Sequence, residues 1–169
     1  MRRLVLSILV ENTSGVLSRI AGLFSRRGFN IDSITAGVTQ DPNLTRLTIV
    51  AYGDDQILDQ IQKQLGKLED VKQIIELPDG ESVCRELVLV KVEATSETRA
   101  SIIEIAGIFR ANIIDVSKNT LTIEITGEQS KLQAFVDLIE NYNILEIVRT
   151  GLTGLSRGNT GMHRLEDRE

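Results

Sequence analysis

This 169-residue sequence has only one cysteine and one histidine, and it has no excess of positive charge. The single cysteine, Cys84, excludes an intramolecular disulfide, and the single histidine, His163, leaves no His/Cys cluster for a structural zinc ion. The formal net charge is −5, and Lys and Arg are scattered along the chain rather than massed in one segment. A phosphate backbone requires a basic surface, so we expect no nucleic acid partner and no bound metal.

Long hydrophobic runs are also missing. The opening MRRLVLSILV has a short apolar stretch that leads into a loop and a helical pattern, with no small-residue cleavage site of a signal peptide. The sequence therefore predicts a cytoplasmic protein that does not associate with a membrane. A hydrophobic fraction of 41% is enough to build packed cores.

The first half of the chain alternates between strand and helix periodicity. Apolar residues spaced by two predict a strand through residues 3–10, and a stripe of helical spacing predicts a helix over residues 15–27. Two extended stretches, 30–39 and 44–52, are joined by a turn at Asp41 and Pro42, which indicates a hairpin. A second helix and a short strand follow, so the order is βαββαβ.

The second half repeats this order after a turn-rich joint at residues 78–82. The word IAGLF at residues 20–24 returns 85 positions later as IAGIF. We therefore predict an α+β protein of two tandem ferredoxin-like βαββαβ domains. The predicted divisions are a first domain at 1–78, a linker at 79–84, a second domain at 85–150, and a C-terminal segment at 151–169 whose end is disordered.

Each predicted domain is small and leaves sheet edges open. Domains of this size bury little apolar surface, and an unpaired edge strand invites another strand. We therefore expect a homodimer built through the first domains.

No arrangement typical of an enzyme is present in the sequence. There is no P-loop and no dinucleotide-binding glycine pattern, and no nucleophile, base or paired carboxylates stand in a recognisable motif. The sequence thus predicts no catalytic residues, although a small enzyme on the same fold stays open as a distant alternative.

Binding is better supported, at the loop ENTSG before the first helix. Gly15 would let a ligand approach the helix start, where unpaired N–H groups attract a carboxylate. Asn12 offers both a donor and an acceptor, and Asn30, at the first position of the next strand, is expected at the same end of the sheet. The same loop could instead be turn chemistry, with Ser14 capping the helix.

The stretch ENTSGVLSRIAGLFSRRGFNIDSITAG resembles the opening of an ACT domain, a small amino-acid-sensing module. Together with DPNLTRLTIV, IFRANIIDV and RTGLTGLSRG, it makes the chain similar to the family of regulatory small subunits of acetolactate synthase. A free-standing ACT sensor that controls another enzyme or a transcription factor is the alternative.

The resemblance implies a subunit without activity or cofactor of its own. It implies a catalytic partner that uses thiamine diphosphate, magnesium and FAD to condense two pyruvates, or pyruvate with 2-ketobutyrate. Feedback inhibition by valine, and in some members by leucine or isoleucine, is implied as well. The effector would lie between two ACT domains, and the matching positions are Asn12, Gly15, Val16 and Leu17 of one chain and Asn30 and Ile31 of the other.

Overall fold

The structure is a computed structural model and describes residues 1–160. The chain divides into two units. Unit 1 contains residues 1–84 and the segment that begins at Leu152, and unit 2 contains residues 85–151. No helix in the described part of the chain is long and apolar enough to cross a membrane.

Unit 1 contains a four-stranded antiparallel sheet with two helices on one face. The elements are β1 (Arg2–Glu11), α1 (Val16–Arg26), β2 (Ile31–Val38), β3 (Leu44–Gly53), α2 (Asp55–Leu65) and β4 (Val71–Glu76). The strand order is β2-β3-β1-β4, so β1 and β3 are central and β2 is an edge. This is the predicted βαββαβ arrangement, and the fold class is confirmed.

The helical face of the sheet holds the core of unit 1. Side chains at alternate positions of β1 and β3 meet one face of each helix, and the largest fully buried residues of this core are Leu4, Leu6, Ile8, Ile20, Phe24, Leu47, Ile49, Leu58, Ile61 and Leu65. The Asp54 side chain accepts a hydrogen bond from the Ile57 N–H at 2.9 Å, which fixes the start of α2. The stripe expected for α1 includes Leu17, but this side chain is 45% exposed.

The opposite, outer face of this sheet is also covered. Leu152 is buried with Val5, Val50 and Leu77 on that face, and strand β9 (Thr153–Ser156) follows it. The Gly154 N–H donates to Thr48 Oγ1 at 3.3 Å, which holds β9 against β3. Residues 152–160 therefore return to unit 1 and form part of it.

Unit 2 repeats the arrangement with β5 (Ser82–Glu93), α3 (Arg99–Ile108), β6 (Asn112–Val116), β7 (Thr120–Gly127), α4 (Gln129–Ile139) and β8 (Ile144–Arg149). The strand order β6-β7-β5-β8 matches that of unit 1, and β9 pairs with β5, whose first three residues belong to unit 1. The repeated word places an aromatic residue of each unit in an edge-on ring contact, Phe24 with Phe29 and Phe109 with Phe135.

The sequence assigns 79–84 to a linker and 151–169 to a C-terminal segment outside the first domain, and the structure differs at both. β5 begins inside that linker at Ser82, and its first three residues belong to unit 1. Turn residues mark where a domain ends, but they carry no signal that a later strand will pair beside that end. The predicted disorder at the end of the tail concerns residues 161–169, which lie outside the described part of the chain.

Candidate functional site at the start of the first helix

The start of α1 is an open helix N-terminus. Gly15 occupies the capping position with φ of 83°, and no described side chain caps the helix, so the alternative in which Ser14 caps it is wrong. The Val16 N–H reaches Thr13 O at a long 3.5 Å, and the Arg19 N–H donates to Gly15 O at 3.0 Å. Between them, the N–H groups of Leu17 and Ser18 have no acceptor within residues 1–160.

A positive charge lies beside this helix start. The Arg19 guanidinium is close enough that a Cβ added to Gly15 would lie 3.0 Å from Nη1. The Arg19 Nε donates to Asp70 Oδ2 at 2.5 Å, and this hydrogen bond raises the pKa of Arg19 above its ordinary value. Because Asp70 already pairs with Arg19, it is the unpaired N–H groups and the helix dipole that favour a carboxylate here, with the Arg19 Nη1 close to the same loop.

Asn12 connects the loop to the β2–β3 turn. Its backbone N–H donates to Asn43 O at 2.8 Å, and its side-chain Nδ2 donates to Pro42 O at 2.9 Å. The turn itself is closed by Asp41, whose Oδ1 accepts from the Asn43 N–H at 2.9 Å. Asn12 therefore has a structural role in this chain, because it holds the loop and the hairpin turn together.

Asn30 and Ile31 lie at the other end of the sheet, so the expectation that Asn30 shares an end with Asn12 is wrong. Ile31 is opposite Ala51 of β3, and Ala51 is opposite Leu4 near the beginning of β1. Glu11 lies seven positions beyond Leu4 in β1, which corresponds to roughly 23 Å along the strand. In a βαβ crossover the helix carries the chain back along the sheet, so the loop after β1 and the start of β2 lie at opposite ends.

The three apolar candidates, Val16, Leu17 and Ile31, differ in how much of each side chain is exposed. Val16 is 5% exposed and belongs to the core of unit 1, and Ile31 packs partly against the same core. Leu17, with nearly half its surface in solvent, is the apolar candidate near the helix start that can meet a ligand. The sequence could not separate Val16 from Leu17, since both fall on the apolar side of the helical pattern.

The corresponding loop in unit 2 is held together by its own side chains. The backbone N–H of Thr95 donates to Thr98 Oγ1 at 3.0 Å, and the Thr98 N–H donates to Thr95 Oγ1 at 3.3 Å. Arg99 Nη2 donates to the carbonyls of Ser117 and Lys118 in the β6–β7 turn at 2.8 and 2.7 Å. No described side chain caps α3 either, so the two helix starts differ not in capping but in the residues at the entry: Ser14 and Gly15 of the first copy stand where the second has Arg99 and Ala100.

Two family models match the chain. Residues 6–73 match the ACT domain of the acetohydroxyacid synthase small-subunit type, and residues 85–158 match the model described as small subunit of acetolactate synthase. Together these matches cover most of both units and include β9.

Relatives of similar length share about half of their residues with this chain. The probable acetolactate synthase small subunit of Methanothermobacter thermautotrophicus is 50% identical over 159 residues, which covers 94% of this chain and 95% of the relative. The acetolactate synthase small subunit of Haemophilus influenzae is 50% identical over 159 residues, with coverage of 94% and 97%.

A solved structure shows the same fold. The crystal structure of the acetolactate synthase small subunit of Thermotoga maritima superposes with a TM-score of 0.87 at 42% identity, covering 95% of this chain and all of that one. Both family models, the relatives that are about 50% identical over nearly the whole chain, and the shared fold agree. The chain belongs to the family of acetolactate synthase small subunits.

Proposed function

We propose that this chain is a non-catalytic regulatory subunit that binds the catalytic large subunit of an acetolactate synthase, raises its activity and confers feedback inhibition by valine. The relatives are named small subunits of that enzyme, which supports a larger catalytic partner. The chain needs no cofactor of its own, since thiamine diphosphate, magnesium and FAD belong to the chemistry of the partner. The proposed place of action is the cytoplasm.

The observation that carries the valine site is the open start of α1. A carboxylate there accepts hydrogen bonds from the N–H groups of Leu17 and Ser18, and the Arg19 guanidinium adds a positive charge. Leu17 supplies apolar surface beside these donors. A branched-chain amino acid, with a carboxylate and a small apolar side chain, suits this combination.

We propose that a second copy of the chain completes the pocket with its Asn30 and Ile31. The edge strand β2 exposes Ile34 and Val38, at 39% and 60% of their surface, which favours pairing along this edge. Antiparallel pairing of two β2 strands would bring the start of one beside the end of the other. The end of β2 leads into the turn that Asn12 contacts at Pro42, so the partner's Asn30 would come near the helix start.

Inhibition requires that valine bind one state of the holoenzyme better than another. Couplings of this kind are typically about 1–3 kcal/mol, which corresponds to changes in affinity of about 5- to 150-fold. Leucine and isoleucine each have one methylene group more than valine, and in an apolar pocket one methylene changes the binding free energy by about 1–3 kcal/mol.

The test of this function is reconstitution with a purified catalytic subunit. We expect the chain alone to leave pyruvate unchanged, the mixture to turn over faster than the catalytic subunit alone, and valine to lower the rate of the mixture. Absence of association at low salt and high protein concentration would contradict the subunit role and favour a free-standing sensor. Association and activation without any response to valine would contradict the effector site alone.

The dimer is tested separately by sedimentation. We expect a mass of at least twice 18.7 kDa at micromolar concentration. A species of 18.7 kDa under these conditions would contradict both the dimer and the shared pocket. Ile34→Lys places a charge on the exposed edge strand and should shift the equilibrium toward this monomer, whereas Ile103→Lys, on an exposed helical surface of unit 2, should not.

A further inference from the structure

A cavity lies on the outer face of the unit 1 sheet, away from α1 and α2. Its volume is about 250 Å³, and its lining residues are Thr35, Ala36, Gly37, Val38, Arg46, Thr48 and Thr153. Gly37 keeps this space open, because a Cβ added there would meet nothing within 4 Å. The cavity is framed by the edge strand β2, the central strand β3 and the first residue of β9.

Arg46 provides the positive charge of this cavity. It faces Leu9 on one neighbouring strand and Gly37 on the other, so its side chain lies on the outer face of the sheet. Its Nε donates to Ser7 Oγ at 2.8 Å, whereas its buried Nη2 has no acceptor within the described residues. Burial removes the guanidinium from water and lowers the pKa of Arg46.

Arg46 lacks the counter-ion that Arg2 and Arg19, two more exposed arginines of the same unit, have. Arg2 contacts Asp55 at 3.1 Å and Glu76 at 2.6 Å, and Arg19 contacts Asp70. No carboxylate lies within 4 Å of Arg46 in residues 1–160, although the sequence has 24 acidic residues against 19 basic ones. A partly buried charge without a counter-ion is costly unless an anion reaches it.

Hydroxyl groups add hydrogen-bonding capacity near the guanidinium. Thr48 is 2% exposed, and its Oγ1 accepts the Gly154 N–H, so its own proton is available to another acceptor. Thr153, the first residue of β9, brings a further hydroxyl to the lining. A guanidinium, hydroxyl donors and an open space of this size suit a small oxyanion.

We propose that this cavity binds a small oxyanion, a carboxylate or a phosphate, with the Arg46 guanidinium as its counter-ion. The site goes beyond the proposed regulation by valine, because it lies on the opposite face of the sheet from α1. Gly37 leaves room for the ligand, and Leu152 and β9 hold the hydroxyl-bearing wall in place, since the Thr35 hydroxyl donates to Leu152 O at 3.1 Å.

The test is an NMR titration of the full chain at neutral pH and constant ionic strength, with sodium acetate in one arm and sodium phosphate in the other. The signals are the backbone amides of Gly37, Thr48 and Thr153. We expect saturable shifts at millimolar anion. Saturation by acetate assigns a carboxylate, and saturation by phosphate alone assigns a phosphate.

Two variants probe different properties of the cavity. Arg46→Gln removes the charge and should weaken anion binding at least tenfold, and Gly37→Val fills the space and should have a similar effect. Arg2→Gln, at an exposed ion pair, and Gly107→Val, at an open helical position, are the matched controls and should keep wild-type affinity. Gly15→Asp should also keep it, which separates this site from the valine site.

Several results would overturn the proposal. Linear shifts without saturation, or wild-type anion affinity in both Arg46→Gln and Gly37→Val, would show that the cavity is not an anion site. If neither anion moves these signals and the catalytic subunit does, a protein side chain rather than a free anion occupies the cavity, and the proposal fails.

Discussion

Gly15 has a backbone conformation that few other residues adopt readily, and it lies close to the Arg19 guanidinium. Its φ of 83° lies in the left-handed region, which Asn and Asp adopt more readily than other non-glycine residues. A side chain there would also meet the Arg19 guanidinium. Substitution at this position therefore tests the ligand site and the backbone at the same time, and the two effects must be separated.

We expect Gly15→Asp to abolish valine binding while the fold and the activation of the catalytic subunit are retained. The new carboxylate would take the place of the ligand's carboxylate beside Arg19 and repel it. Gly15→Asn is the matched control, because it has nearly the same shape and backbone strain without the charge, and it should weaken valine binding less. Wild-type valine affinity of Gly15→Asp in calorimetry would show that the loop is only a turn.

Asn12 should contribute to stability through its hydrogen bond to Pro42 O. We expect Asn12→Ala to lower the free energy of unfolding by about 0.5–1.5 kcal/mol, as measured by urea denaturation. Ser14→Ala is the control and should change stability by only a few tenths of a kcal/mol, since no described side chain caps α1. A larger loss for Ser14→Ala than for Asn12→Ala would contradict this assignment.

At the scale of elements, β9 depends on a close approach that only glycine permits. A Cβ at Gly154 would lie 2.5 Å from Cys84 Sγ and 3.1 Å from Val83 O. We expect Gly154→Ala to lower the free energy of unfolding of unit 1 by about 1–3 kcal/mol, because the strand must shift away from β5. Thermal unfolding gives the change in stability, and hydrogen exchange shows whether β9 is the element that opens.

Gly107 is the matched control for this substitution. It lies in α3, where an added Cβ meets nothing within 4 Å. Alanine is a better helix former than glycine, so Gly107→Ala should stabilise the protein by up to about 1 kcal/mol. Opposite signs for the two Gly→Ala variants are expected, and destabilisation of the same size in both would count against the close packing of β9.

At the scale of the whole molecule, the return of the chain to unit 1 makes the C-terminal segment part of the first fold. Truncation after Gly151 removes Leu152 and β9 and uncovers Val5, Val50 and Leu77. The loss of one buried leucine alone corresponds to about 1.5–3 kcal/mol. We expect faster hydrogen exchange in β1 and β3, and unchanged exchange in β7 of unit 2.

Truncation after Gly158 is the control for this experiment. It retains Leu152 and β9, together with the hydrogen bond from the Arg157 N–H to Glu81 O at 2.9 Å. Its exchange in β1 and β3 should match that of the full chain. Equal exchange in both truncated chains would show that the returning strand does not stabilise unit 1.

The sequence by itself determined the element order, the strand alternation and the two-fold repeat. These follow from local patterns, such as the spacing of apolar residues in β1 and α1 and the turn at Asp41. It also indicated a specialised loop before α1, because Ser14 and Gly15 stand where the second copy has Arg99 and Ala100. Each of these signals lies within a few residues of the feature that it predicts.

Only the tertiary structure decided which distant segments meet. It placed Asn30 at the far end of the sheet from Asn12, exposed Leu17 while burying Ile102 at the equivalent repeat position, and returned β9 to unit 1. It also left Arg46 beside an open cavity without a carboxylate partner in the described chain. Periodicity specifies the face on which a residue lies, whereas the pairing of remote strands and the rotation of a helix depend on packing across the whole domain.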